Sequence, residues 1–227
     1  MIILQEKDTL LFQGDSITHG GRIPSDWDMN HVMGHGYQSI LASWIGLDSV
    51  AQHPTILNRG VSGDSITQLY ERREEDIFAL NPTVLSLLIG VNDCHDGDET
   101  ADDVAVRFER VYRALLDEVG RRLPGVRLIL CAPFAFLSPR AAEDEEVARG
   151  DRLRCEKTQR LAAVVRTLAG EYGAVYVPFD EALAPYVASA PAGHIVWDGI
   201  HPTYVGHEVL ARTWYDAVDR SGILSET

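Results

Sequence analysis

The stretch TLLFQGDSITHG, residues 9–20, decides how the rest of the chain is interpreted. Three consecutive apolar side chains at 10–12 are typical of a β-strand that is buried on both faces of a parallel sheet. Gly14 and Asp15 end this run, and Ser16 follows them directly. The stretch therefore predicts a buried strand that carries a serine at its carboxyl end.

Four more runs of this kind follow along the chain, each rich in Leu, Ile or Val and bounded by Gly, Pro or Asn. These runs are TILNRGV (55–61), TVLSLLIG (83–90), VRLILCAPF (126–134) and AVYVPF (174–179). Segments with a helical spacing of apolar residues alternate with them, at 35–46, 64–80, 101–123 and near 151–172. A last helix is expected to end near Asp219, with Pro202 near its first turn.

The alternation of strands and helices predicts a single α/β domain over residues 1–227. Five strands joined by right-handed crossovers suit a doubly wound parallel sheet with helices on both faces. The polar, acidic segment 138–151 is expected to form an excursion or a short extra helix near one edge of the sheet.

The charge balance of the chain restricts its partners. Its 227 residues include 20 Lys and Arg against 34 Asp and Glu, a formal net charge of −14. Nucleic acids and anionic membranes attract clusters of Lys and Arg, so the balance argues against both and fits a neutral or cationic small molecule. Neither a signal peptide nor a spanning apolar run of about 18 residues is recognised, so we expect a cytoplasmic protein. The sequence permits a homo-oligomer without predicting one.

Neither a metal nor a cofactor is expected. Three cysteines without CxxC spacing indicate neither a disulfide framework nor a zinc site. A magnesium-dependent phosphotransfer site would also use carboxylates at strand ends. The aspartates at such positions are Asp15, Asp64, Asp93 and Asp198. However, the sequence has no phosphate-binding GxxxxGK[ST] loop, and a hydrolytic serine that has its own histidine needs no metal.

Polar residues collect in four loops near the predicted carboxyl edge of the sheet, where doubly wound sheets bind their ligands. The loops are Gly14-Asp15-Ser16, Asn58-Arg59-Gly60, Gly90-Val91-Asn92-Asp93 and Asp198-Gly199-Ile200-His201-Pro202. Together they contain the groups that acyl transfer needs.

Ser16, His201 and Asp198 form the predicted catalytic set. A serine hydroxyl is a weak nucleophile that needs a base within hydrogen-bonding reach, and His201 is predicted to be that base. Asp198 is predicted to hold the imidazole tautomer and to stabilise its cation. The backbone N–H groups of Ser16 and Gly60 and the side-chain amide of Asn92 are suitable oxyanion donors. Gly60 is suitable because a residue without Cβ lets a substrate oxygen approach its backbone.

These loops resemble the four sequence blocks of the SGNH hydrolases, the GDSL-type esterase/lipase family. The matching residues are GDSIT (14–18), NRGVSG (58–63), GVND (90–93) and DGIHP (198–202), in the expected order. The resemblance implies a flavodoxin-like three-layer α/β/α sandwich. It also implies a Ser16–His201–Asp198 triad and an oxyanion hole formed by Ser16, Gly60 and Asn92.

Four longer sequence segments resemble the intracellular acetylxylan-esterase-type branch of that family. These segments are GDSITHGGR (14–22), HGYQSILASW (35–44), RREEDIFALNP (72–82) and VWDGIHPTYVGHEVLA (196–211). This resemblance implies removal of acetyl groups from a short sugar through an acetyl-enzyme. The segments 23–32 and 138–151 depart from the pattern and leave the identity of the sugar open. Two alternatives also stay open, a lysophospholipase or acyl-thioesterase on the same framework and a non-catalytic carbohydrate-binding protein.

Four further residues are candidates for contact with substrate. Asp15 either lies behind the site or hydrogen-bonds backbone N–H groups of its own loop. Trp197 either forms an apolar wall for a sugar or packs in the core. Arg59 either contacts substrate or pairs with an acid, and Tyr37 is a weaker candidate. Among eight histidines, His207 is expected to pack inside the last helix.

The pentapeptide GDSIT occurs a second time at residues 63–67. In this copy NRG directly follows the second strand, and GDSIT has moved past it into the start of a helix. Asp64 or Ser65 is therefore predicted to be an N-terminal helix cap or a residue of the first turn. Only Ser16 is predicted to be a nucleophile.

Overall fold

Five parallel strands form the centre of the structure. The structure is a computed structural model that describes residues 1–25, 27–94 and 99–224. The strands are β1 (Thr9–Gly14), β2 (Thr55–Asn58), β3 (Val84–Leu88), β4 (Arg127–Cys131) and β5 (Val175–Val177). They lie in the order β2-β1-β3-β4-β5, and every neighbouring pair is parallel. Chain connections leave β1 and β3 in opposite directions across the sheet, which opens a crevice at their carboxyl ends.

Helices cover both faces of this sheet. They are α1 (Ser16–His19), α2 (Tyr37–Asp48), α3 (Ile66–Glu71), α4 (Arg73–Asp76), α5 (Ala101–Arg122), α6 (Glu145–Glu171), α7 (Phe179–Ser189) and α8 (Tyr204–Ser221). Side chains of α2, α7 and α8 share one buried apolar cluster, and side chains of α3, α5 and α6 share the other. The predicted three-layer α/β/α fold is confirmed.

The two clusters follow from the alternation of side chains along each strand. In β1, Leu10 and Phe12 belong to the cluster with α2, α7 and α8, whereas Leu11 belongs to the cluster with α3, α5 and α6. All three side chains are completely buried. Consecutive apolar residues are required because both faces of the strand are covered, which is why the run in β1 predicted its place in the sheet.

Residues 64–80 do not form the single helix that the sequence predicted. α3 ends at Glu71 with Arg72 as its C-cap, α4 follows, and a 3₁₀ turn at Phe78–Leu80 completes the segment. The guanidinium of Arg72 donates to the carbonyl oxygens of Gly14 at 3.2 Å and Arg59 at 2.8 Å. These hydrogen bonds tie the junction to the ends of β1 and β2, so tertiary contacts favour a break in the helix at this residue.

The acidic segment 138–151 is mostly the beginning of a long helix rather than a separate excursion. A 3₁₀ turn covers Pro139–Ala142, and α6 starts at Glu145. The side chain of Asp144 caps α6 by accepting hydrogen bonds from the N–H groups of Glu146 at 2.9 Å and Val147 at 3.2 Å. The first turns of α6 lie partly in solvent, and this is why their composition resembled that of a loop.

The local sequence did not predict α7, which contains Pro185. Proline lacks an N–H and disfavours a helix interior, so the local sequence argues against a helix there. Burial of Phe179 and Leu183 in the core outweighs that preference. In the described residues, no helix has both the length and the apolar character needed to cross a bilayer.

Substitution of Ser86 should destabilise the fold. The buried indole N–H of Trp214 in α8 donates to the Ser86 hydroxyl in β3 at 2.9 Å. Ser86→Ala leaves this N–H without that acceptor, and an unsatisfied buried donor costs about 1–3 kcal/mol. The free energy of unfolding from urea titration should fall by this amount. Ser43→Ala, which removes an exposed helix hydroxyl, should change it by less than about 0.5 kcal/mol; equal effects would contradict the assignment.

Candidate active site

Three polar segments meet at the carboxyl edge of the sheet. Ser16 begins α1 directly after β1, and Asn92 lies in a 3₁₀ turn, Val91–Cys94, that follows β3. Asp198 and His201 lie in the connection between α7 and α8. Parallel strands end at the same edge of a sheet, so segments that are far apart in the chain come together there.

Ser16, His201 and Asp198 form a continuous line of hydrogen bonds. The Ser16 hydroxyl oxygen lies 2.8 Å from Nε2 of His201, and Nδ1 of His201 lies 2.7 Å from Oδ2 of Asp198. A carboxylate beside Nδ1 favours the tautomer with its proton there, which leaves Nε2 free to accept the serine proton. The side chains of His201 and Asp198 are 36% and 28% exposed, so the line is open to solvent on one side.

Hydrogen bonds between the Asp198 side chain and nearby backbone N–H groups hold the loop that carries Asp198 and His201. Oδ1 of Asp198 accepts hydrogen bonds from the N–H groups of Ile200 at 3.0 Å and His201 at 2.7 Å. Gly199 adopts a φ of +88°, and a Cβ there would lie 2.5 Å from the carbonyl oxygen of Phe136. The spacing Asp-Gly-Ile-His therefore reflects a tight turn that only glycine fits at its second position.

The charges of the pair stabilise each other. The hydrogen bond with Asp198 raises the pKa of His201 above its usual value, against the opposing effect of burial. Burial alone would raise the pKa of Asp198, but hydrogen bonds from the His201 ring and from two backbone N–H groups hold it below its usual value. Asp198 therefore stays ionised while His201 gains basicity, as a general base requires.

Asp15 caps the helical turn that begins with Ser16, and it is buried away from solvent. Its Oδ1 accepts a hydrogen bond from the N–H of Ile17 at 2.9 Å and caps α1. The residue is 1% exposed. Burial raises the pKa of Asp15 to about 7, although the hydrogen bond from Ile17 and the charge of His201 oppose the rise. Because Asp15 is buried, the prediction that it contacts substrate is wrong.

Two of the predicted oxyanion donors follow the neighbouring strands β1 and β3 at the carboxyl edge of the sheet. The Ser16 N–H belongs to the first residue of α1 and has no hydrogen-bond acceptor within the described part of the chain. Asn92 donates from Nδ2 to the carbonyl oxygen of Asp64 at 3.0 Å, which uses one of its two amide hydrogens. The neighbouring Asp93 accepts from the N–H of Ile66 at 3.0 Å. Asn92 and Asp93 therefore clamp the start of the second GDSIT segment.

Gly60 differs from its prediction. Its N–H donates to Oδ1 of Asn58 at 2.9 Å, so it is not free for an oxyanion. A Cβ at Gly60 would lie 2.5 Å from the backbone nitrogen of His19, which shows that glycine is needed here for close packing against α1. Gly63 is exposed with a φ of +88°, and among the described residues its N–H has no acceptor. The first glycine of NRGVSG was predicted to be the donor, whereas the second is the one whose N–H has no acceptor among the described residues.

Trp197 is the one substrate-contact candidate that the structure leaves at the surface beside the serine and histidine. Its side chain is 58% exposed, and its ring lies at 22° to the His201 ring with 6.1 Å between the centroids. Core packing is therefore excluded. In contrast, Tyr37 is completely buried beside Phe12 and Phe179, which corrects its candidacy.

Arg59 and Ser65 both have partners in the fold. Arg59 reaches Asp76 with 3.8 Å between Nη1 and Oδ1, which favours the ion-pair interpretation of this residue. Ser65 is the N-cap of α3 and forms a capping box with Gln68. This confirms that the second serine is a helix cap.

His207 is buried in α8, where its Nδ1 accepts a hydrogen bond from the N–H of Tyr37 at 3.1 Å. Burial lowers the pKa of His207 to about 4, so it stays neutral and packs as expected. His35 and His194 are exposed. His95 lies outside the described residues.

Known proteins resemble this chain over nearly its whole length. The sequence model of the GDSL-like lipase/acylhydrolase family matches residues 12–209. An acetylxylan esterase from Geobacillus stearothermophilus is 27% identical over 213 residues, which are 91% of this chain and 92% of the relative.

Solved structures share the fold. The acetylxylan esterase Axe2 from Geobacillus stearothermophilus matches with a TM-score of 0.80 at 26% identity, covering 96% of both chains. A protein from Parabacteroides merdae, described as a GDSL-like lipase, matches with a TM-score of 0.81 at 33% identity, covering 96% of this chain and 98% of its own.

The titration of His201 should depend on Asp198. Because Asp198 raises the pKa of His201 above the ordinary value of 6.5, the ring should titrate above this value by NMR in the unmodified protein. In Asp198→Asn the charge is lost, and the midpoint should be lower than in the unmodified protein. An unchanged midpoint would contradict the assignment of Asp198 as the cause. Ser65→Ala, which leaves both residues in place, serves as the control.

Proposed function

Because the chain belongs to the GDSL-like lipase/acylhydrolase family and is a carboxylic ester hydrolase, we propose that Ser16, His201 and Asp198 carry the reaction. The observation that supports this assignment is the pair of distances, 2.8 Å from the Ser16 hydroxyl to Nε2 of His201 and 2.7 Å from Nδ1 to Asp198. An unbroken line of hydrogen bonds favours catalysis over a binding role alone.

The reaction passes through an acyl-enzyme. The Ser16 oxygen attacks the ester carbonyl while Nε2 of His201 takes the serine proton. The C–O bond to the alcohol then breaks, and His201 returns the proton to the departing oxygen. Water then gives a proton to His201 while its oxygen attacks the acyl carbonyl. The bond between this carbonyl carbon and the Ser16 oxygen breaks, His201 returns the proton to the Ser16 oxygen, and the acid leaves. Asp198 stays ionised throughout and stabilises the imidazolium.

The oxyanion is proposed to lie between Ser16, Asn92 and Gly63. Ser16 contributes its backbone N–H, and Asn92 contributes its remaining amide hydrogen. Gly63 contributes its backbone N–H in place of that of Gly60. The clamp from Asn92 to the carbonyl oxygen of Asp64, next to Gly63, supports this set. Loss of one such donor typically costs about 3–4 kcal/mol in the transition state.

The proposed substrate is an acetylated carbohydrate such as an acetylated xylo-oligosaccharide. The similar sequence and the similar solved structure from Geobacillus stearothermophilus are both named acetylxylan esterase. The exposed ring of Trp197 beside His201 supports a sugar substrate, because an aromatic face provides a large apolar surface next to the reacting group. A cytoplasmic location remains part of this proposal, as does the absence of a nucleic-acid or membrane partner.

The two GDSIT serines provide the first test. Ser16→Ala should lower kcat for acetate release by about 10³-fold or more, since the nucleophile is removed. Ser65→Ala should retain most of the activity and lose only about 1 kcal/mol of stability through its helix cap. Acetate release from acetylated xylo-oligosaccharides measures both variants. A fully active Ser16→Ala protein or an inactive, folded Ser65→Ala protein would overturn the proposal.

Trp197 provides a separate test of the sugar. Trp197→Ala should raise KM for acetylated xylo-oligosaccharides several-fold and leave the hydrolysis of ethyl acetate nearly unchanged, because only the sugar uses the aromatic surface. Equal effects on both esters would argue against sugar stacking.

The preference for an acetyl group can be tested in the unmodified protein by comparing the hydrolysis of p-nitrophenyl esters with short and long acyl chains. Faster cleavage of the octanoyl than of the acetyl p-nitrophenyl ester would contradict an acetylesterase and favour the lysophospholipase or thioesterase alternative.

A further inference from the structure

Asn58, the last residue of β2, joins backbone groups of three segments through one buried side chain. Its Nδ2 lies 2.7 Å from the carbonyl oxygen of Thr18 and 3.0 Å from that of Met33. A longer contact of 3.3 Å joins the same nitrogen to the carbonyl oxygen of His19. On the other side of the amide, Oδ1 accepts from the N–H of Gly60 at 2.9 Å. The residue is 5% exposed.

These partners fix the orientation of the amide. Carbonyl oxygens can only accept, so the nitrogen must face Thr18 and Met33, and the oxygen must face the N–H of Gly60. An amide rotated by 180° would set oxygen against oxygen on one side and N–H against N–H on the other. Asparagine is therefore specified here by both its donor and its acceptor.

The segments joined by Asn58 are the ones that carry the proposed chemistry. Thr18 and His19 are the last residues of α1, the turn that begins with Ser16. Gly60 begins the loop that leads to Gly63, and a Cβ at Gly60 would lie 2.5 Å from the backbone nitrogen of His19. Asn58 thus sets the distance between the turn of the nucleophile and the loop of the proposed oxyanion donor.

The turn α1 needs such support because it has only four residues. An isolated helix of one turn is unstable, so its position must come from contacts with the rest of the protein. Asp15 caps its amino end, whereas Asn58 binds carbonyl oxygens at its carboxyl end. Carbonyl groups at a helix end lack partners within the helix and are available for this contact.

We propose that Asn58 is a positioning residue for ester hydrolysis, acting on Ser16 through the Thr18 carbonyl and on the oxyanion loop through the Gly60 N–H. This inference rests on the proposed function, because it assumes that Ser16 is the nucleophile. Asn58 does not touch substrate. Its loss moves reacting groups relative to each other, and a displacement of about 1 Å can lower a rate about 100-fold.

Asn58→Asp is the sharpest variant. The carboxylate has nearly the same size and still accepts from the Gly60 N–H, but it cannot donate to the Thr18 carbonyl when ionised. We expect kcat to fall about 100-fold with KM nearly unchanged. The second-order rate of phosphonylation by a p-nitrophenyl phosphonate, which reports on Ser16 without deacylation, should fall in parallel. Asn58→Ala introduces no charge and should give a smaller loss of kcat, about 10-fold or more. If the aspartate variant does not fold, the kcat of Asn58→Ala tests the positioning role.

Thr83→Ala is the matched control. The Thr83 hydroxyl donates to Asp8 at 2.9 Å and accepts from the N–H of Thr9 at 3.1 Å, at the opposite, amino edge of the sheet. This variant removes side-chain hydrogen bonds that join neighbouring segments, as the Asn58 variants do. It should lower the melting temperature and leave kcat unchanged in assays run below that temperature.

The outcomes separate this inference from the proposed function. If Asn58→Asp and Asn58→Ala lower only the melting temperature and retain kcat, the positioning role is wrong. A rise in KM at unchanged kcat would also overturn it, because it would indicate a role in binding. Inactivity of Ser16→Ala with full activity of the Asn58 variants would reject this inference alone. Retained activity of Ser16→Ala would reject the proposed function itself.

Discussion

The hydrogen bond between the Ser16 hydroxyl and Nε2 of His201 joins residues that are 185 positions apart in the chain. One end depends on β1, which is held between β2 and β3. The other end depends on α8, whose Trp214 is buried against Ser86 of β3. Packing far from the site therefore sets a distance that the proposed reaction needs to within a fraction of an ångström. The apolar core in this way positions the proposed catalytic residues.

The acids near the serine fall into two groups according to their surroundings. Asp198 receives hydrogen bonds from His201 and from backbone N–H groups, so its pKa is lowered and its charge is kept. Asp15 and Asp93 lose hydration, and burial raises their pKa values to about 7 and about 6. Three carboxylates of one sequence type thus behave differently because desolvation and hydrogen bonding act in opposite directions. Of the three, Asp198 is the one whose carboxylate is hydrogen-bonded to the His201 ring, where it stabilises the protonated form of that ring.

Much of the fold follows from local patterns. Runs rich in Leu, Ile and Val between Gly, Pro and Asn predicted all five strands, and several runs are apolar on consecutive residues because both faces of the sheet are covered. The helix of residues 179–189 was missed because Pro185 argues locally against it. The single helix expected at 64–80 is broken at Arg72, whose guanidinium bonds carbonyl oxygens from two other segments. Both errors arise where contacts distant in sequence outweigh the preference of the local chain.

The sequence by itself determined which chemical groups are present at the strand ends, including Ser16, Asn92, Asp198 and His201, because these depend on residue type and on order along the chain. Only the tertiary structure decided which of those groups are free. Gly60 has a suitable N–H by composition, yet the fold gives that N–H to Asn58. Tyr37 has a suitable hydroxyl, yet the fold buries it completely. A hydrogen-bonding group can act on a substrate only if no neighbour already satisfies it, and neighbours are set by packing rather than by sequence.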